Sequence, residues 1–205
     1  MQSPQRGQVG TRDGCGSRAG RVALAAVPVG VIAASLMGGV AQGAVPVSFA
    51  VSGSQFQISA ASLDGTGFSQ YGGVTQDTAG GEHAVAIANI KEATLVDLCQ
   101  SVVTETPLGT VGVLIKAGGG DTPVTATDLQ LGMTGLRGDS SFSNIRIGVD
   151  ASTVNTEAKG DAGDFAQDAD TVRITSLQQT AWSTQAGVFN LAGMTLELTD
   201  GQTCF

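Results

Sequence analysis

The chain reads as an all-β domain carried behind a short apolar N-terminal helix. Three observations point there. Alternating polar and apolar residues recur through the C-terminal three quarters, as at Gln55-Phe56-Gln57-Ile58-Ser59-Ala60. Glycine-containing turn pairs separate these stretches. No segment after residue 50 sustains a 3.6-residue apolar period, while Val, Thr, Ser and Gly are common and Lys, Arg, Glu and Leu are scarce.

The N-terminal helix is read from charge. Residues 22 to 63 contain no Asp, Glu, Lys or Arg, and they follow a basic head carrying Arg6, Arg12, Arg18 and Arg21 against Asp13 alone. A basic tail before an apolar run is the pattern of an export signal. Residues 22–41 are long enough for a helix crossing a bilayer core, although Pro28, Gly30, Gly38 and Gly39 weaken it. Small residues at Gly39-Val40-Ala41 and Ala41-Gln42-Gly43 suit a signal peptidase. The expected organisation is a basic tail at 1–21, a signal peptide or single transmembrane helix at 22–44, and an extracytoplasmic β domain at 45–205. That domain is secreted, or anchored to the cytoplasmic membrane by residues 22–41. The chain has no adjacent Arg pair for a twin-arginine signal, and Cys15 precedes the apolar run, where it cannot serve as a lipid-modified N-terminus.

The strand candidates run in order. They are Val47 to Val51, residues 55–60, Ala84 to Ile90, Ala93 to Val103, Thr110 to Lys116 and Val124 to Leu131. Three more follow: Ser141 to Val149, the stretch around Val172 and Ile174, and the stretch through Met194, Leu196 and Leu198. Turns are expected at Asp64-Gly65, Gly72-Gly73, Gly80-Gly81, Gly118-Gly119-Gly120-Asp121, Arg137-Gly138-Asp139 and Asp200-Gly201. An irregular exposed loop is expected from Asp150 to Asp170. No crossover helices are visible, so the sheets are read as antiparallel, in a sandwich or an elongated, solenoid-like sheet. Apolar pairs recur at intervals too irregular for a repeat protein.

Without the head, the exported part holds six basic and seventeen acidic residues, a net charge of −11. Nucleic acid and anionic headgroups are poor partners for such a surface. Cys15 is lost with a cleaved signal or left in the cytoplasm, which makes Cys99 and Cys204 an even pair in an oxidising compartment. A bond between them closes a loop of roughly 100 residues, worth about 4 to 5 kcal/mol in the chain-entropy account.

Catalytic sets are sparse. Gly67-Phe68-Ser69-Gln70-Tyr71 comes closest to a nucleophile elbow and fails at its fifth position. His83 is the one histidine and sits in a glycine-rich turn. No catalytic residue is assigned and no cofactor is expected. Asp161, Asp164, Asp168 and Asp170 crowd one stretch and are the calcium candidates, weighed against a solvated acidic loop; their spacing is not that of an EF-hand. Gly118-Gly119-Gly120-Asp121 lacks the Lys-Ser/Thr of a phosphate loop. Trp182 and Tyr71, the single Trp and Tyr, are read first as core pieces and second as a ligand platform.

Six segments carry a resemblance: Gly65 to Gly73, Asp97 to Val103, Ala117 to Leu129, Asn144 to Ser152, Gln178 to Gly187, and the terminal Cys204-Phe205. Together they resemble a family of exported actinobacterial proteins of unknown function whose members are often labelled cholesterol esterase. The label implies a lipid-ester hydrolase, yet no residue here matches a hydrolase motif. The expected function is a non-enzymatic binding or structural role at the cell envelope, with envelope or membrane components as partners. The alternatives are an envelope lipid-binding or transfer protein, and the lipid ester hydrolase of the label.

Overall fold

Four long strands pair in a closed circuit, and everything else in the described domain hangs from them. The computed structural model describes residues 51–107 and 109–205, so the apolar segment at 22–44 lies outside the described residues. The strands are β1 (Phe56–Gln76), β2 (Glu82–Val96), β3 (Leu98–Thr106), β4 (Gly109–Ala117), β5 (Val124–Ser143), β6 (Arg146–Asp150), β7 (Phe165–Gln185), β8 (Val188–Asn190) and β9 (Thr195–Thr199). Among the described residues the only helix is a single 3-10 turn at Ala151–Thr153. None there is long and apolar enough to cross a membrane.

All ladders between strands are antiparallel, as expected. The order β7-β5-β2-β1 returns to β7, because β1 also pairs with β7 from Phe56 through Tyr71. The choice between a sandwich and an elongated sheet thus resolves into one nine-stranded sheet whose four long strands close on themselves. A closed sheet leaves no edges within its circuit. β3, β4 and β9 extend the sheet from β1, β6 lines β7, and β8 lines β5.

The inward face holds Leu63, Phe68, Ile90, Leu131, Ile174 and Leu177, each with at most 6 % of its surface exposed. A strand of about 20 residues cannot bend around a core while keeping strict alternation. The sequence of core positions shows how it does so. Along β1 the core positions step from Gly65 to Phe68, along β5 from Ala126 to Leu129, and along β7 from Ile174 to Leu177; from β2 into β3 they step from Leu95 to Leu98. Each step is three residues, and each contains one residue with positive φ: Gly67 (63°), Asp128 (49°), Ser176 (53°) and Asp97 (53°). A left-handed residue resets the period-2 pattern, so the same face stays inward past the bend.

These bends align across the sheet. Gly67 lies in register between Lys91 and Asp170, and Asp128 lies opposite Lys91 on the far side of β2. Asn144 (φ 52°) ends the same line and donates its Nδ2 to Asp170 Oδ2 at 2.7 Å. Asp97 and Ser176 flank Ala61 in a second line.

Several expected turns are strand interior. Asp64-Gly65, Gly72-Gly73 and Arg137-Gly138-Asp139 all lie inside β1 or β5. Gly65 is small because its neighbours are close: a Cβ there would sit 2.6 Å from Ile90 Cγ2 and 3.1 Å from Val172 Cγ1. The stretch expected as one strand from Ser141 to Val149 is broken at Asn144 into the end of β5 and β6. The loop expected from Asp150 to Asp170 ends at Asp164, because Phe165 opens β7. Nor is that loop wholly exposed: Ala151 and Val154 bury themselves with Tyr71 and Ala166 in a second, smaller cluster on the outer face.

Candidate functional site: an open cleft beside Trp182

The outer face carries a row of polar groups. Asp168, Ser69, Asn89, Gln130 and Gln185 are consecutive register partners from β7 through β1, β2 and β5 back to β7. Ser69 is fully buried; its hydroxyl donates to Thr156 Oγ1 at 2.5 Å, since Thr156 itself donates to the Ala158 carbonyl. Asn89 Nδ2 donates to Ser69 Oγ at 3.1 Å and Gln130 Nε2 to Asn89 Oδ1 at 2.9 Å. Thus Ser69, the serine nearest to a nucleophile motif, is a structural group without solvent access.

Asp168 is equally buried. Its carboxylate accepts a bidentate pair from Arg146 and the Asn155 N–H at 2.8 Å. The Arg146 guanidinium holds this carboxyl below the usual aspartate range. Of the four calcium candidates, Asp168 is therefore committed to Arg146, Asp170 accepts from Asn144, and Asp161 and Asp164 stand exposed in the loop. Among the described residues no group of three or more His, Cys, Asp and Glu is placed to hold a metal ion.

Inside the circuit lies a small apolar cavity of about 60 Å³, lined by Leu63, Phe68, Leu131, Phe142 and Leu177, with Gln179 at its wall. Gln179 Nε2 is buried without a partner. Small-molecule sites run from about 300 Å³ upward, so this cavity has no room for a sterol or an acyl chain.

A larger feature sits where the two ends of β1 approach each other. Val51 bridges Asp77 in parallel, its N–H donating to the Gln76 carbonyl at 2.9 Å. Asp77 organises the turn into β2. Its carboxylate accepts the N–H groups of Ala79 and Gly81, both at 2.8 Å, and meets His83 Nε2 at 3.0 Å. The His83 contact, reinforced by these N–H groups, lowers the Asp77 pKa. The His83 ring stacks on Trp182, centroids 3.8 Å apart and planes 18° from parallel. Among the described residues His83 has Asp77 as its hydrogen-bond partner.

Trp182 occupies an irregular position. Gly132 pairs with Ser183 and Met133 with Ala181, so Trp182 is the extra residue of a β-bulge. Bulges re-aim a side chain out of the alternation. Here Trp182 lines an open cleft of about 370 Å³, together with Phe56, Gln100, Ser183, Thr184 and Phe189, and with Val51 and Ser52 just before β1. The bulge depends on register with β5, and the sequence around Trp182 carries no local mark of it.

A family model matches residues 52–205, most of the chain. The chain belongs to the DUF6230 family of unknown function. That span covers the whole closed sheet, the Trp182 cleft apart from Val51, and both late cysteines. No curated protein and no solved structure matches this DUF6230 domain.

Proposed function

We propose that this DUF6230 protein is an exported or membrane-tethered domain of the cell envelope that acts by binding or by structure, with envelope components as partners and without catalysis. One observation carries the reading: Cys99 and Cys204 are joined, with Cα atoms 5.8 Å apart. Disulfides persist in oxidising compartments. This agrees with the basic head and the uncharged run behind it. The net acidity of the part beyond the head suits a soluble exported surface and opposes nucleic-acid binding.

The test is cell fractionation of the full chain with free thiols trapped at lysis. The chain is expected outside the cytoplasm, with the Cys99 and Cys204 peptides linked in mass spectrometry. Recovery from the cytosol with both thiols alkylated would overturn the reading.

A further inference from the structure

The Trp182 cleft is built as a site rather than left as a gap between strands. A bulge takes Trp182 out of the sheet pattern. His83 covers one face of the indole and is itself held by Asp77, whose carboxylate is held by two backbone N–H groups. The indole is thus a braced ring at a residue that lines the cleft. Phe56 and Phe189, each packed on one side against the core, line it as well.

The polar groups between these rings are uncommitted. The Gln100 amide, the Ser183 hydroxyl and the indole N–H bond to no described residue. Among the described residues no charged side chain lines the cleft. Phosphates and carboxylates therefore have no counter-ion there. An acyl chain would strip water from hydroxyls and an amide without replacing it.

We propose that this cleft binds a neutral saccharide. A pyranose ring offers a C–H face for an aromatic platform and a rim of hydroxyls that both donate and accept. Aromatic rings interleaved with amide and hydroxyl groups, all uncharged, match both features. The volume of about 370 Å³ falls in the range of small-ligand sites. The inference rests on the binding half of the proposed function and names its ligand class.

Trp182 is the sole tryptophan, so intrinsic fluorescence reports the site directly. The oxidised full chain is titrated with neutral oligosaccharides of β-1,4-linked glucose, of N-acetylglucosamine and of mannose. A saturable change is expected with at least one of them. Gln100→Ala is expected to weaken that affinity about tenfold, the loss of one good hydrogen bond. Trp182→Ala, followed by calorimetry, is expected to abolish binding while circular dichroism stays unchanged. No saturable signal and no heat with any of the three, or affinity unaltered in both variants, would overturn the proposal. Failure here is separable from failure of the envelope reading, because one is read on purified protein and the other on the chain's location in the cell.

Discussion

Asp168 has a fully buried carboxylate in the middle of a sheet, and Arg146 is what makes that position tolerable. Removing the partner of a buried carboxylate leaves its charge uncompensated. Arg146→Met should lower the urea midpoint at pH 7, by less than for a pair buried on both sides because Arg146 is half exposed. The pH dependence supplies a second readout. The folded pKa of Asp168 is depressed, so the stability it contributes is present above its unfolded value of about 4 and is lost as pH falls through the folded value. Asp77 and Asp150 are depressed as well and act in the same direction. In Arg146→Met the difference in stability between pH 5 and pH 2 should shrink, since Asp168 no longer resists protonation. An unchanged acid profile would show that Arg146 does not hold this carboxylate.

The element scale is set by the bends. Long strands close around the core because Gly67, Asp97, Asp128 and Ser176 reset the inward face at aligned positions. Asp and Asn visit the left-handed region more readily than other non-glycine residues, and Ser176 is the least suited of the four. Ser176→Gly should raise the urea midpoint, by a stability gain of a few tenths to about 1 kcal/mol. Gly67→Val should lose about 2 kcal/mol or more, because a β-branched residue is forced to φ 63° with Lys91 Cβ 3.0 Å from the new atom. If both variants matched the parent, the bends would not depend on backbone conformation. The sequence shows alternation only in pieces, at residues 55–60, 124–131 and around Val172, which read as separate short strands. They are segments of three continuous ones, β1, β5 and β7, whose bends interrupt the period while the hydrogen-bonded register is kept. Asp64-Gly65 reads as a turn because a close approach between strands and a chain reversal both call for glycine, and local sequence does not distinguish them.

At the scale of the whole molecule, the C-terminal tail is tied to the extension of the closed sheet. The Cys99–Cys204 bond links the start of β3 to the tail across 105 residues, and Cys204 N–H donates to the buried Ser101 hydroxyl at 3.0 Å. β9 sits at the sheet's edge, paired through Leu196 with Ile115 and Leu198 with Val113, and the tail follows it directly. Loss of the bond should cost about 4 kcal/mol in the chain-entropy account. Cys204→Ser should unfold at lower urea than the parent and be indifferent to reductant, whereas the parent should fall to meet it when reduced. Identical midpoints for parent and variant under oxidising conditions would mean the bond does not form in solution.

Composition, patterning and the even cysteine pair were enough to determine an antiparallel all-β domain stapled by one disulfide, because strand propensity, alternation and thiol count are local or additive properties of the chain. Closure of the sheet, the burial of Ser69 and Asp168, and the bulge that turns Trp182 into a cleft were decided only by tertiary structure. Each depends on which residues stand opposite one another across strands far apart in sequence, and a register between distant strands leaves no trace in either one alone.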